Sequence, residues 1–546
     1  MIESLGFWTG LLAIVVLVSF VAERVRMPSP LLLVLIGVAL SLVPNAPSVS
    51  LHPELVLQIV LPLLIYTSAV AIPWREFRAN LRPILFLSIG LVIFTTFTVG
   101  WLAQFMVPEM AFATALVLGA VISPTDDVAA AAVVRKLPIP HRILHILEGE
   151  SLLNDATALT LFPFALMGVI SGSLSAWQVP TLLTATIIGG TAYGLLIGWI
   201  SLKIRQKLRD TSLEITVSLI TPFAAYLLPE HFGVTGIPAV AAAGLLVSAQ
   251  SASRIPAATR LQVHALWRLV SFWLNGLLFL LLGLQLKGLL DALAGDALVD
   301  AIQLGLMFSL LVILLRFAWM FSVPYVTRLL LPAWYVHEPV PPRRQLFLLG
   351  YTGMRGAISM AAALAIPLTL PSGEAFPQRE LIVFITYCVI LVTLVGQGLL
   401  LPVLIKPLGI RADWIHERES EGRMILNARA ELVRAGIAHL DALQRSGMPA
   451  TLIEPLRQAR YHYLKQLGHH LGGHADERLE RVAVQDLEIH HEVLAAERQA
   501  LLKMRHEGRI SDSVLMQAER DLDLQEARLQ EHALPFGEPE KGEGMP

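Results

Sequence analysis

The chain has 546 residues, of which 55% are hydrophobic and 15% are charged. Soluble globular domains carry about 25% charged residues, so this composition excludes a soluble enzyme. The formal net charge of −2 gives no overall basic field for nucleic acid, and the single cysteine, Cys388, excludes a scaffold of intrachain disulfides. An all-α membrane protein is the class that remains.

The charged residues are distributed unevenly along the chain. Residues 1–410 hold half of them, and the much shorter segment 411–546 holds the other half. This division predicts a membrane-embedded body, 1–410, followed by a helical cytoplasmic tail, 411–546, with a regulatory or stabilising role. Within the tail, the stretch Ser446–Pro449 predicts a break between two helices.

Apolar stretches long enough to cross a bilayer recur throughout the body. They predict thirteen transmembrane helices, over 7–22, 29–43, 55–72, 84–106, 110–134, 148–170, 180–202, 213–228, 233–250, 263–286, 297–323, 346–370 and 381–405.

The loops between these spans predict the orientation. With Met1 outside, the cytoplasmic loops contain 17 Lys and Arg residues, whereas the opposite loops contain only Lys287 and Arg379. Because cytoplasmic loops of membrane proteins are enriched in basic residues, this asymmetry supports an odd number of spans and a cytoplasmic tail. We therefore expect a multi-pass protein of the cytoplasmic (inner) membrane.

The first polar motif, Ile122–Val128, lies inside span 5. Pro124 removes a helical hydrogen bond, and the neighbouring Ser123, Thr125, Asp126 and Asp127 supply oxygen atoms where the backbone opens. Such irregular backbone is tolerated only inside protein or beside a cavity, which predicts a broken helix at a site. The alternative is a kinked helix end near the cytoplasmic loop.

The second motif, Glu148–Asp155, opens span 6. Residues four apart share a helix face, so Ser151 lies with Asp155, and Glu150 lies with Asn154. A carboxylate beside a hydroxyl is half of a site for a hard cation. The alternative interpretation is an interfacial helix start with capping acids.

The third motif, Gly350–Ala357, lies inside span 12, where three glycines surround Arg355. We interpret the glycines as permitting the helix to unwind, and Glu150 as the partner of Arg355. The alternative is a glycine-packed helix contact with a snorkelling arginine. Arg316, deep in span 11, also needs an acid or a cavity, and the sequence does not choose between them.

Two other polar residues have less specific interpretations. Glu214 begins span 8 and is expected to be an interfacial or capping acid. Asn275 in span 10 is expected to hydrogen-bond across helices, with a direct role in the ion path as the alternative.

Spans 5 and 12 are seven apart, so they cross the membrane in opposite directions. Two interrupted helices at corresponding places of oppositely oriented halves indicate an inverted-repeat secondary transporter. The predicted fold is therefore an all-α bundle of about thirteen transmembrane helices with two broken, crossing helices and a helical tail.

At these residues the chain resembles bacterial sodium/proton antiporters of the monovalent cation:proton antiporter-1 family. The matching stretches are Ser123–Asp126, Glu148–Asp155, Asn275–Gly283 and Met354–Ala357. The resemblance implies that Asp155 carries the cation or the proton, that Thr125 and Ser151 add ligands, and that Asn154 and Asp126 support the crossing. It also implies a structural ion pair between Glu150 and Arg355 and a homodimer.

The chain departs from the family pattern at two candidate site residues. Asp127 stands where many relatives have proline, and Thr67 stands where many have a glutamate in span 3. The first adds a carboxylate near the site and the second removes one. Both departures bear on the ligand set and on the preference between Na⁺ and K⁺.

The resemblance implies a secondary transporter, not an enzyme, that exchanges Na⁺, or Li⁺ or K⁺, for H⁺ and maintains internal pH and sodium. Asn154 cannot titrate, and relatives with asparagine there are electroneutral, so one-for-one exchange is expected. The alternatives are a K⁺/H⁺ antiporter of the same fold, a gated cation channel, and a transport-dead sensor. We expect no cofactor, no metal beyond the transported cation, and no nucleic-acid partner.

Overall fold

The computed structural model describes residues 2–44, 52–135, 137–172, 178–208, 210–232, 235–293, 296–330, 341–471 and 492–501, with 503, 504, 506, 507, 509, 515, 518 and 521–526 beyond them. It divides into two compact units, Met1–Trp414 and Ile415–Pro546.

The described part is helical, apart from one isolated β-bridge between Thr369 and Ala375. Its main helices are α1 Ile2–Arg24, α2 Ser29–Ser41, α3 Pro53–Ala71, α4 Leu81–Met106, α5a Phe112–Ile122, α5b Asp127–Val134, α6 His141–Ser171, α7 Gln178–Lys207, α8 Thr211–His231, α9 Ile237–Arg254, α10 Ala257–Leu284, α11 Asp296–Leu330, α12a Arg343–Tyr351, α12b Ala357–Leu364, α13 Arg379–Leu408, α14 Arg411–Arg445 and α15 Ala450–Leu471. Two short helices, Trp74–Ala79 and Leu286–Ala292, join them.

Each predicted span coincides with one of these helices or with a broken pair. Among the described residues, nine helices are long and apolar enough to cross a membrane, and α2, α5a and part of α9 are shorter apolar helices. The all-helical membrane fold is thus confirmed, whereas the count of thirteen crossings stays a prediction.

The two predicted interruptions are present. Helix α5a ends at Ile122 and α5b begins at Asp127, while α12a ends at Tyr351 and α12b begins at Ala357. Proline alone does not cause such a break, because Pro163 lies inside the continuous helix α6. In span 5 the carboxylate of Asp126 caps the second half-helix, accepting from the amides of Val128 (2.9 Å) and Ala129 (3.3 Å).

The polar residues of the three motifs lie inside the apolar core of the first unit. That core extends from Leu11 on α1 to Ile410. Glu150, Asn154 and Arg355 are each 1% exposed. Burial of polar groups costs free energy unless they are hydrogen-bonded or paired, so their contacts define what the site can do.

The tail unit contains a helical pair that is stabilised by a small core of its own. Ala430, Val433 and Ile437 pack with Leu467. Helix α14 ends at Arg445 and α15 begins at Ala450, on either side of the predicted break, where Gly447 has a φ of 100°.

Candidate functional site

The two interrupted helices meet at their breaks. The backbone amide of Asp126 donates to the carbonyl of Met354 (2.8 Å), and the guanidinium of Arg355 donates to the carbonyl of Ser123. Each break therefore satisfies polar backbone groups that the other exposes, which is the condition for irregular backbone at membrane depth.

A third helix secures the break in span 12. The backbone amide of Arg355 donates to Thr393 Oγ1 (3.0 Å), and that hydroxyl donates to the carbonyl of Val389 (2.7 Å). Thr393 lies in a π-helical turn of α13, Val392–Gln397. Such turns recur at functional sites because they shift a side chain out of the regular helical register. The sequence carried no signal for this residue.

The glycines of span 12 have a different physical role from the predicted one. Gly356 has a φ of −139°, an extended conformation open to any residue, and neither it nor Gly353 is among the described glycines of positive φ. A Cβ atom on Gly356 would instead overlap the carboxylate of Asp126, and one on Gly353 would overlap the side chain of Arg316. Gly356 therefore permits close approach of the two breaks, Gly353 permits close approach of Arg316 on α11, and neither position needs glycine for a positive φ.

Replacing Gly356 with alanine is therefore expected to separate the two breaks and to reduce transport strongly. The added methyl group collides with a carboxylate held by two backbone amides, and a tightly packed crossing has no room to yield. Transport by the purified variant in liposomes measures the effect. Gly189→Ala is the matched control, because its methyl group meets open space on α7. Equal transport by the two variants would contradict the close approach.

Thr125 organises the contact between the break in span 5 and helix α6. Its hydroxyl donates to Glu150 Oε1 (3.0 Å) and accepts from the Asn154 amide (2.6 Å). Its carbonyl accepts from Ser151 Oγ and from the same Asn154 amide, both at 3.1 Å. Four hydrogen bonds thus hold one unwound residue against the face of α6.

Glu150 forms its ion pair with Arg316, and the predicted pair with Arg355 is wrong. Nη1 of Arg316 lies 2.5 Å from Glu150 Oε1, Nη2 lies 2.9 Å from Oε2, and Nε donates to the carbonyl of Leu349 (3.0 Å). The planar guanidinium matches a carboxylate with two parallel bonds. Arg355 turns instead to the carbonyl of Ser123, where the broken helix leaves an acceptor. Glu150 is therefore the acid that pairs with Arg316, a choice that the sequence left open.

A small cavity of about 40 Å³ lies beside the crossing. Asp155, Ser151 and Asp126 line one side, and Ser68 of α3 and Asn275 of α10 contribute polar groups from other helices. A cavity that holds one water needs roughly 10–15 Å³, so there is room for a few water-sized groups. Asp155 is 6% exposed.

The two departures from the family pattern have different outcomes. Thr67 is not among the residues that line the cavity; its hydroxyl donates to the carbonyl of Leu63 (2.7 Å), and its neighbour Ser68 lines the cavity instead. Asp127 begins α5b, but its side chain lies outside the described part of the structure.

Two further residues differ from expectation. Asp210, not Glu214, caps α8, accepting from the amides of Ser212 (2.7 Å) and Leu213 (3.1 Å), while Glu214 is buried. Asn275 donates to Ser271 Oγ on its own helix (3.0 Å) and not across helices. Sequence position placed Glu214 at the membrane interface and Asn275 inside the membrane, but it did not predict what either residue contacts.

The site brings a buried carboxylate and a hydroxyl to a small cavity where two interrupted helices cross. Carboxylate and hydroxyl oxygens suit a hard cation, and a carboxylate also binds a proton. Discontinuous helices that meet at a buried site are characteristic of secondary transporters.

The sodium/hydrogen exchanger family model, described as "Sodium/hydrogen exchanger, transmembrane", matches residues 10–406. The chain belongs to the sodium/hydrogen exchanger family, which confirms the predicted family and a secondary transporter in place of an enzyme.

Relatives match over nearly the whole chain. An uncharacterized Na⁺/H⁺ exchanger of Mycobacterium tuberculosis is 35% identical and covers 96% of this chain and 97% of its own length. A sodium, potassium, lithium and rubidium/H⁺ antiporter of Bacillus subtilis is 28% identical over 91% of this chain and 74% of its own length. The sodium proton antiporter MjNhaP1 of Methanocaldococcus jannaschii has a similar fold, with a TM-score of 0.60 and 18% identity over 75% of this chain and 98% of that one.

Proposed function

We propose that the protein exchanges Na⁺, and to a lesser degree Li⁺ or K⁺, for H⁺ across the cytoplasmic membrane, with Asp155 as the carrier. The observation that carries this proposal is the position of Asp155 and Ser151 at the cavity beside the crossing of the two broken helices. The names of the relatives, which pair Na⁺ or several alkali cations with H⁺, support the substrate class.

The mechanism is competition for one carboxylate. Asp155 binds either a proton or a cation, and the site changes its access only when one of them is bound. The half-helices of spans 5 and 12 move together with α6 against the remaining helices, because the hydrogen bonds of Thr125 and the contact between Asp126 and Met354 join them. Alternating access with an obligatory bound ion produces coupled exchange and not a continuous pore.

The contacts divide the candidate residues by role. Asp155, Ser151 and Asp126 line the cavity and are the proposed ligands. Thr125 and Asn154 are hydrogen-bonded to each other and are the proposed supports of the crossing, although the resemblance also assigns Thr125 a ligand role. The ion pair of Glu150 with Arg316 is the proposed structural brace.

The placement in the cell follows from the sequence asymmetry. We place the N-terminus outside and the tail in the cytoplasm, because basic residues are concentrated in the loops of that side. Residues 1–410 are the proposed exchanger domain and 411–546 a regulatory or stabilising domain. Homodimerisation and a role in internal pH and sodium balance complete the proposal.

Proton flux in everted membrane vesicles tests the function. Adding Na⁺, Li⁺ or K⁺ chloride to a preformed pH gradient is expected to collapse the gradient, with Na⁺ the most effective. Collapse by K⁺ alone would mean that K⁺ and not Na⁺ is the substrate of the same mechanism. K⁺/H⁺ exchange is the second candidate because potassium is among the cations named for the Bacillus subtilis relative. Cation currents far above carrier rates would indicate a channel, and no flux over a wide pH range would indicate a sensor.

Exchange is expected to be electroneutral. The amide of Asn154 carries no charge and donates to Thr125, so Asp155 is the proposed titrating carrier and bears the same charge with a proton or with a monovalent cation. Proteoliposomes on a solid-supported membrane should show no charge displacement while an entrapped dye reports proton flux. A cation-dependent current that accompanies the flux would mean unequal numbers of protons and cations.

A further inference from the structure

The cavity has two chemically different walls. Helix α6 and the break in span 5 supply Asp155, Ser151 and Asp126, which include both acidic side chains described at the cavity. Helices α3 and α10 supply a second part of the lining, here called the neutral wall, whose described polar members are Ser68 and Asn275. The second wall is neutral, and the remaining side chains that α3 and α10 contribute to the cavity are apolar.

The neutral wall offers a hydroxyl and an amide as sources of oxygen ligands. The amide nitrogen of Asn275 donates to Ser271 Oγ (3.0 Å), which leaves its amide oxygen to act as an acceptor. On α3, Ser68 lines the cavity and Thr67 does not, while the Thr67 hydroxyl donates to the carbonyl of Leu63.

The small volume of the cavity gives the neutral wall a role in binding the ion. A space of about 40 Å³ holds a dehydrated or partly dehydrated ion with few waters, so the protein must replace much of its hydration shell. A carboxylate attracts all alkali cations, whereas the number and spacing of neutral oxygens discriminate among them.

We propose that Ser68 and Asn275 form a neutral half of the ion site and determine which alkali cation competes with the proton at Asp155. This inference rests on the proposed exchange function. It assigns selectivity to residues outside the acidic motif, and it replaces Thr67 with Ser68 as the polar contribution of α3.

The test measures half-saturating concentrations of Na⁺, Li⁺ and K⁺ for proton release in proteoliposomes. Ser68→Ala and Asn275→Ala are each expected to change the ratio between Na⁺ and K⁺ by roughly tenfold, because the contact of one polar group with a charge contributes to the binding of both ions and only the difference enters the ratio. Asn275→Ser is a smaller change that retains an oxygen, and it should shift the ratio less than Asn275→Ala does. Gel filtration identifies variants that fail to fold.

Ser271→Ala separates coordination from helix packing. It removes the hydrogen-bond partner of Asn275 but leaves Asn275 itself in the lining of the cavity, so the ratio should stay within twofold of the parent value. A shift equal to that of Asn275→Ala would mean that Asn275 acts through its own helix, which would overturn its assignment.

Two further outcomes would overturn the inference without touching the proposed function. In the first, the parent exchanges cations but the Na⁺/K⁺ ratio is unchanged in both Ser68→Ala and Asn275→Ala. In the second, the ratio changes in Thr67→Ala and not in Ser68→Ala. Failure of the parent to exchange any of the three cations would instead reject the function on which the inference rests.

Discussion

Replacing Asp155 with asparagine is expected to reduce cation-dependent proton flux to the level of empty vesicles. Asparagine has nearly the same shape, so the cavity beside the crossing should keep its form. It cannot ionise, however, and therefore cannot exchange a proton for a cation. Flux in proteoliposomes with equal amounts of purified protein measures the effect, and equal thermal stability would show that the loss is chemical.

Glu148→Gln is the matched control for this variant. This substitution also removes one carboxylate from the acidic motif. Glu148, however, pairs with Arg135 (2.6 Å) and is not among the residues that line the cavity. Exchange should persist in this control. If Asp155→Asn transported at the parental rate, Asp155 would be excluded as the carrier, and Asp126, the other described acid at the cavity, would become the candidate.

Replacing Arg316 with alanine is expected to destabilise the protein by roughly 3–5 kcal/mol, because it leaves the charge of Glu150 buried and unpaired. Both side chains are 2% exposed, so water cannot substitute for the lost partner. The double variant with Glu150→Gln removes the stranded charge and should recover much of the stability. Unfolding temperature and yield of the purified protein in detergent measure both changes.

Arg355→Ala provides the comparison that distinguishes the two pairings. Arg355 donates to the carbonyl of Ser123, so its loss should weaken the crossing, and Glu150→Gln should not rescue it. If Glu150→Gln rescued Arg355→Ala and not Arg316→Ala, the pairing described above would be incorrect. The two arginines therefore need separate interpretation, even though both lie buried near the same glutamate.

Local patterns were enough to predict much of this protein. Hydrophobic length predicted helices at the right places, and Pro124 with its polar neighbours predicted the break between Ile122 and Asp127. The spacing of four residues placed Ser151 with Asp155 and Glu150 with Asn154, and the structure finds the first pair at the cavity and the second against Thr125. These inferences depend on helix periodicity and backbone chemistry, which act over a few residues.

Contacts between distant helices were not predictable in the same way. Arg316 and Glu150 are 166 residues apart, and two buried arginines competed for one carboxylate. Ser68 and Thr67 are adjacent on α3, and a rotation of one residue decides which hydroxyl reaches the cavity. Thr393 contacts Arg355 from a π-helical turn, a feature that local sequence patterns did not predict.

The sequence alone determined the class of protein, the positions of the membrane helices, the two interruptions and the acidic motif, because each of these is set by hydrophobicity and local geometry. Only the tertiary structure decided the partner of Glu150, the reason for Gly356 and the neutral wall of the cavity. Those features depend on how helices far apart in the chain rotate and approach, which burial and close packing select for the whole molecule at once.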